Sequence, residues 1–466
     1  MRVVHRPRRE PDPAVVDTLH RAAANWQAGR ENAHRDVDWP RWRARAQALR
    51  DDAIRHLPDL LERFEERLTA AGGHVHHAPT AADATRTVVR LCAERGLRRA
   101  IKSKSMLGKE IGLNGALEAA GIEAVETDLG EWIVQLLGDR PSHILAPAVH
   151  LSAEQVAGLF SARAGERLDP ADTRGLVGYA RRALREAFLA GDVGITGGNF
   201  LIAGTGTLVL VESEGNIRMC TSLPRVHIAV VGIEKVLRDW DAAAHMIQML
   251  ALAAHGKRAP TYTSLITGPA RDGDDGPEEL HVVLVDDGRS ALRDTPLESA
   301  LHCIRCGACL YACPVYRQIG GHAYGAAYPG PIGAVITPAL EASAPPSNEL
   351  PWLSSLCGAC TEACPVGIPL DDHLVTLRAH AHRAAPDAAE RAFWEGWARL
   401  WSRPASYRAT AATAGRALAP LWRAAASGEG WLDRAPGPFA GWTQERDAPA
   451  PARVPFHARW RRARGR

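Results

Sequence analysis

Seven of the nine cysteines fall between residues 303 and 364, in two runs that echo each other. The first run, "CIRCGACLYACP", places Cys303, Cys306, Cys309 and Cys313 ahead of Pro314. The second, "SSLCGACTEACP", places Cys357, Cys360 and Cys364 ahead of Pro365, with Ser354 where the frame asks for a fourth cysteine. Such a dense cluster in a reducing compartment is expected to bind metal rather than to form disulfides. Zinc also takes four thiolates from paired CxxC units. It does not call for seven cysteines in two interlocking frames, each closed by proline, so iron–sulfur chemistry is the expectation.

The spacing C-x2-C-x2-C-x3-C-P is that of the bacterial ferredoxin run, in which the fourth cysteine of each run ligates the other cluster. Carried onto this chain, cluster one takes Cys303, Cys306, Cys309 and Cys364, and cluster two takes Cys357, Cys360 and Cys313. The glycine inside each "CGAC" lets the backbone pass close to inorganic sulfide, and the proline has no N–H to lose in a first helical turn. Two [4Fe-4S] clusters are expected, forming a one-electron relay. Cluster two lacks a fourth thiolate, and three alternatives stand. Ser354 or Ser355 supplies an oxygen, a water or partner group fills the corner, or the fourth iron is missing and the cluster is [3Fe-4S]. A hard oxygen ligand would leave that iron more labile than thiolate does. A [4Fe-4S] cluster with a labile corner is the reading adopted.

These residues need a scaffold. At 466 residues the chain is long enough for two or three domains. Its 46% apolar and 23% charged content is that of a globular protein, and a net charge of +3 gives no support to nucleic-acid binding. Residues 1–70 are expected to be helical. Residues 71–285 alternate short β-branched runs ("GHVHHA", "RAIKSKS", "IEAVETD", "HILAP") with helical stretches such as "AADATRTVVRLCAERG" and "MLGKEIGLNGALEAAG". That alternation implies βαβ units and a parallel-type sheet with helices on both faces, a Rossmann-like α/β fold. "RVHIAVVGIEKVL" reads as a buried strand running into a helix. The cysteine module spans 290–380 as a helical, ferredoxin-like unit. Residues 381–466 form a helical, Trp-rich region with a disordered basic tail. Trp394, Trp397 and Trp401 share one helical face, expected to pack against the rest of the chain or to dock a partner. The ending "RWRRARGR" holds five arginines in eight residues and reads as a solvated terminus. No secretory signal and no membrane-length apolar run is visible, so a cytoplasmic protein is expected, with membrane contact only peripheral, at the inner face.

Several stretches outside the cysteines carry a resemblance: "KSKSMLGKEIGLNGALEAAGIEAVETDLGEWIVQL", "PSHILAPAVHLSAEQVAGLF", "GITGGNFLIAGTGTLVLVESEGN", "HIAVVGIEKV" and "DGPEELHVVLVDDGRS". In order and spacing they, with both cysteine runs, resemble the lactate-utilization protein B family, iron–sulfur components of bacterial L-lactate oxidation systems. The resemblance implies a LUD domain similar in fold to the ribose-phosphate isomerase and CoA-transferase group. It implies two [4Fe-4S] clusters on these seven cysteines. It also implies two partners, a cysteine-rich-domain protein and a small LUD-domain protein, in a complex that oxidises L-lactate to pyruvate and passes electrons onward. The family usually has Glu where this chain has Gly204.

Weaker candidates lie in the α/β region. Gly197, Gly198, Gly204 and Gly206 are read either as tight turns or as an anion-binding backbone. The stretch does not follow the dinucleotide fingerprint. "KSKS", Lys102 to Ser105, follows a strand, where α/β ligands bind, and is read either as a solvated strand end or as an anion contact. His74, His76 and His77 are read as an exposed strand face rather than a metal site. Cys92 and Cys220 are expected in the core. No catalytic residue and no flavin or nicotinamide signature is visible. An electron-transfer subunit for lactate is the main reading. Another 2-hydroxy acid such as glycolate, or a redox- and metabolite-sensing role, remain the alternatives.

Overall fold

A computed structural model describes residues 13–35, 37–271, 273–341, 347–384 and 388–425, with 431–432, 434, 443, 447–449, 452 and 454–465. Pro7–Ala381 is one compact unit and His382–Arg466 belongs to another.

The alternation of β-branched and helical stretches builds a six-stranded sheet in the larger unit. Its strands are β1 (His74–Ala78), β2 (Arg99–Lys102), β3 (Glu123–Glu126), β4 (Val193–Thr196), and, further on, β7 (Val226–Gly232) and β10 (Glu279–Val285). Their order is β1-β10-β7-β4-β2-β3, and every pairing is parallel. β4, β7 and β10 read as nearly unbroken apolar runs because helices or other layers cover both sides of them. The intervening strands β5 (Phe200–Ile202), β6 (Thr207–Glu212), β8 (Val236–Leu237) and β9 (Tyr262–Ile266) form a second sheet, in the order β8-β5-β6-β9. The glycine-punctuated segment after residue 190 thus divides between two sheets.

The two-residue period of a strand splits the core. Val226, Ile228 and Val230 of β7 and Val283 and Val285 of β10 face one way, onto Val88, Leu91 and Cys92 of the helix Ala81–Glu94. Ala229, Val231, Val282 and Leu284 face the other way, into a larger cluster shared with β5 and β6, with Leu301, Leu310 and Ile336 of the cysteine module, and with the N-terminal helices. Those helices are α1 (Pro13–His34), α2 (Trp39–Arg55) and α3 (Leu57–Ala70), which contribute Leu19, Ile54 and Phe64. Side-chain caps fix helix starts around the sheet. Thr80 and Asp83 form a reciprocal capping box, as do Ser152 and Gln155.

Three local expectations are corrected. "HILAP" is not a strand, because a backbone bond and bonds to the His143 side chain hold it as a turn. Ser142 N donates to Pro147 O (3.0 Å), and Leu145 N and Ala146 N donate to His143 Nδ1. "MLGKEIGLNGALEAAG" is two short helices, Met106–Glu110 and Leu113–Ala119, parted at Gly112, whose φ of 67° is left-handed. After β7 the chain makes one 3-10 turn and pairs as β8 with β5, and the helix starts only at Trp240, behind the Asp239 cap.

In the smaller unit, the helices Ala388–Trp401 and Pro404–Ala425 precede a two-stranded pairing of Trp431–Leu432 with Ala448–Pro449. Trp397 stacks on Trp401, which meets Tyr407 edge-on. Trp394, Trp397 and Trp401 are about half exposed. The expectation of a disordered tail is corrected at its end, where Phe456–Ala463 is helical; residues 435–442 lie outside the described residues. Among the described residues no helix is long and apolar enough to cross a membrane.

Within the parallel sheet, Lys102 is not a solvent-facing cation. It is buried between β2 and β3, 3.0 Å from Glu126, which also accepts from Asn114 and Lys109. Burial alone would raise the Glu126 carboxyl, but Lys102 and Lys109 outweigh it and hold it down at about 2. The native state therefore gains from this carboxylate above its unfolded value near 4.5, and loses that gain as pH falls toward 2. Lys102→Met removes one partner of a buried pair, with an expected cost of about 3 kcal/mol. Thermal melts of the two proteins at neutral pH measure it, and the gap should narrow in melts at pH values below about 4.

Candidate metal centre

The cysteine runs sit on short helices that begin at left-handed glycines. Gly307 (φ 72°) opens the helix Ala308–Ala312, and Gly358 (φ 78°) opens Ala359–Ala363. A side chain at Gly307 would also press on His143 and Leu145, since its Cβ would lie 3.2 Å from the His143 ring. Cys313 caps the helix Pro314–Ile319. Cys364 differs. The chain after it turns through Gly367, and the next helix waits until Leu370. The ferredoxin pattern of a helix starting at the fourth cysteine therefore holds for only one run.

Cys303, Cys306, Cys309 and Cys364 line one cavity of about 20 Å3, closed by Ile304, Ile332, Val366 and Ile368. All four are buried. Arg305 N donates to Cys303 Sγ and Ile368 N to Cys364 Sγ, each at 3.4 Å. Backbone N–H groups aimed at sulfur suit thiolate ligands. Burial pushes up the thiols of Cys306, Cys309 and Cys364, the last to about 11, and Cys306 is pushed up further by Cys364 and Cys303 beside it. Taking thiolates up as metal ligands removes that cost. Four thiolates on one zinc ion at about 2.3 Å would stand roughly 3.8 Å apart. Among the described residues no three cysteine sulfurs lie within 4.8 Å of one another. The spread suits a polynuclear centre better than a single ion.

Cys313, Cys360 and Cys357 form the second neighbourhood. Burial raises Cys360 to about 12, with Cys313 adding to the rise, and Cys357 likewise adds to the rise at Cys313. Cys313 and Cys360 are buried, whereas Cys357 is exposed. Ser354 is half-buried. Its hydroxyl accepts from Leu356 N (3.1 Å) and its carbonyl from Arg378 Nη2 (3.0 Å), while the Arg378 guanidinium stacks on Trp352. The serine thus holds a turn at the edge of this neighbourhood and keeps its own O–H free to donate.

Sequence reasoning missed the cations that dock the module. Arg43 of α2 donates to Cys364 O (2.8 Å) and Thr361 O (2.9 Å), and Arg30 of α1 reaches Glu362 O (3.4 Å). Arg50, fully buried, donates to Leu301 O (2.9 Å) and Val236 O (3.3 Å) and to the Glu234 carbonyl. Lys235 Nζ donates to Cys303 O at 2.7 Å. Arg289 joins Glu234 (2.8 Å) to Glu110 (2.9 Å). With Arg305, four cations face two carboxylates in a buried space beside Cys303. That surplus suits a negatively charged thiolate centre. No local motif announces these residues, because each comes from a different part of the chain.

Of the weaker candidates, Ser103, Lys104, Ser105, Gly197 and Gly198 come together in a cavity of about 470 Å3 at the carboxyl ends of the parallel strands. Gly204 and Gly206 do not; they form the β5–β6 turn, where Gly204 N donates to Arg238 O. His76 bonds to His281 (3.1 Å) and His77 to Glu65 (2.7 Å), on the edge strand β1. Cys92 and Cys220 are buried, and burial raises them to about 11 and 12.

Comparison with known proteins agrees with this architecture. Residues 61–285 match the LUD domain, 299–368 the 4Fe-4S dicluster domain, and 377–465 the C-terminal domain of lactate utilisation protein B. The chain is 43% identical over 430 residues to lactate utilization protein B of Shouchella clausii, covering 92% of this chain and 89% of that one. It is 42% identical over 434 residues to the protein of the same name from Oceanobacillus iheyensis, with the same coverage. It is also 43% identical over 366 residues to an uncharacterized electron transport protein, YkgF, of Escherichia coli, covering 78% of this chain and 76% of that one. On this extent of identity, the chain belongs to the lactate utilization protein B family.

Proposed function

We propose that this chain is an iron–sulfur electron-transfer component of a complex that oxidises L-lactate to pyruvate. Cys303, Cys306, Cys309 and Cys364 hold a first [4Fe-4S] cluster. Cys313, Cys357 and Cys360 hold a second, whose fourth corner is not a cysteine and takes oxygen from Ser354 or from solvent. Each cluster, when bound, supplies a one-electron centre. The observation that carries the reading is the meeting of Cys364 with three cysteines more than fifty residues earlier in one buried cavity. The lactate assignment is supported by the names of the relatives at 42–43% identity.

The two cysteine groups differ in exposure, and this suggests different duties. The first is enclosed against the α/β domain, and the second reaches the surface at Cys357, the natural side for exchange with a partner. The partners in this reading are a cysteine-rich-domain protein and a small LUD-domain protein, with the complex in the cytoplasm or at the inner membrane face. The oxidation of lactate is placed in the complex rather than on a catalytic residue of this chain.

Anaerobically purified protein should contain iron and acid-labile sulfide near two full clusters, about eight of each per chain. One zinc per chain, or no iron, would refute the metal assignment. Ser354→Cys should slow the loss of the second cluster in air, followed by the decay of its visible absorbance. In the parent protein, a [3Fe-4S] EPR signal that survives anaerobic reconstitution with iron would show that the fourth site is not occupied. Deletion of the gene should abolish growth on L-lactate as sole carbon source, and Cys309→Ser should fail to restore it. Normal growth of the deletion strain would remove the functional proposal.

A further inference from the structure

We propose that the cavity at the carboxyl ends of the parallel strands binds a small organic anion through a carboxylate, and that Arg305 of the cysteine loop is its anchor. The cavity holds about 470 Å3, within the range of ligand pockets. It lies at the ends of β2 and β4, paired neighbours whose following connections leave in opposite directions because β3 lies on the outer side of β2, the place where open α/β sheets bind ligands. Its walls include residues following β2, β3, β4 and β7, and it is closed on one side by Ile304 and Arg305, between Cys303 and Cys306.

The charge of the occupant follows from which wall groups lack partners. Lys104 donates to Leu145 O (2.7 Å) and pairs with Asp128. Lys235 is bonded to Cys303 O, and Arg289 to Glu234 and Glu110. The acids are also engaged. Glu212 accepts from Ile217 N and Arg218 N, and Glu214 from Leu129 N. Lys257, on the same wall, is exposed and can be satisfied by water. Arg305 is different. Both Nη1 and Nη2 are out of solvent and neither has a hydrogen-bond acceptor; the nearest carboxylate oxygen, on Glu234, stands at 3.7 Å. Two parallel donors of a guanidinium are matched by a carboxylate or a phosphate. Asp128, Glu212, Glu214 and Glu234 on the same walls would repel a dianion, which favours the carboxylate.

Arg305 is also held ready. Its guanidinium stacks on the Tyr328 ring at 4.4 Å, and the Tyr328 hydroxyl donates to Glu110 (2.5 Å). Its backbone has a φ of 61°, a conformation an arginine rarely adopts and one that costs free energy. The amide of the same residue donates to Cys303 Sγ. An anion on the guanidinium would therefore sit one residue from a cysteine of the buried group, and its arrival would alter the field there. The site does not depend on the lactate reading; only the naming of L-lactate or pyruvate as occupant would.

The test uses the full-length, cluster-loaded protein under anaerobic conditions. L-lactate, pyruvate, glycolate, acetate and inorganic phosphate are titrated by calorimetry, and the EPR spectrum of the reduced protein is recorded with and without each. At least one carboxylate should bind saturably, more tightly than phosphate, and change the EPR line shape. Arg305→Gln should weaken that binding about tenfold or more, and Arg305→Lys less. Thr261→Trp, an exposed wall position before β9, should block binding while leaving the iron content unchanged, and it carries the test should Arg305→Gln lose iron. The proposal fails if no carboxylate saturates, if phosphate binds best, or if Thr261→Trp and an iron-replete Arg305→Gln bind as the parent does. Binding of acetate or glycolate without L-lactate or pyruvate would support the site and count against the lactate reading.

Discussion

A buried carboxylate, Glu234, ties the two halves of the larger unit together. It lies just past the end of β7 and is 2% exposed. Burial would raise its carboxyl, yet Arg289, Lys235 and Arg305 outweigh that and hold it down at about 2. Around it, Arg50 reaches from α2, Arg289 from the segment after β10, and Arg305 from the first cysteine run. Such a cluster is costly to assemble in a low-dielectric interior, and it is tolerable only when each charge finds partners. Its consequence is register. The cysteine loop seats against the sheet with Cys303 beside Lys235 and Arg305 turned toward the strand ends.

That seating explains the unequal environments of the two cysteine runs. The first is pressed between the sheet, the turn at residues 142–147 and Arg50 of α2. Tyr316 donates to Ser142 O (2.7 Å), closing the same interface from the other side. The second run meets solvent at Cys357, and Ser354 stands in the frame where the first run has Cys303. The group of three cysteines is thus found on the open side, and the group of four lies on the closed side.

Much of this was legible in the residues. Alternating strand and helix texture gave the α/β class, because parallel strands covered on both faces must be continuously apolar, as "VHIAVVG" is. The cysteine spacing pointed to iron–sulfur chemistry, because ligand reach on a tight loop is a local matter. The failures share a cause. "HILAP" has strand composition but is held as a turn by His143 and by the cysteine module. "KSKS" looked like one exposed tetrad, yet Lys102 is a buried counter-ion, Ser105 caps a helix, and only Ser103 to Ser105 reach the cavity. In each case contacts from distant segments overrode a local preference.

The sequence by itself determined the chemistry on offer: seven thiols in two frames, one frame closed by serine, beside a βαβ array. These properties depend on residue type and on separations of a few positions, which the chain carries wherever it folds. Only the tertiary structure decided which thiols share a cavity, which run is open to solvent, and that Arg50, Lys235 and Arg289 gather behind the first run while Arg30 and Arg43 hold the carbonyls around Cys364. It also turned Arg305 from one more arginine into a buried cation on the wall of a strand-end cavity, with no hydrogen-bond acceptor for its two terminal nitrogens. Such assignments arise from burial, since a charge has to find a partner only once water has been removed, and which partners remain is set by the packing of segments far apart in the chain.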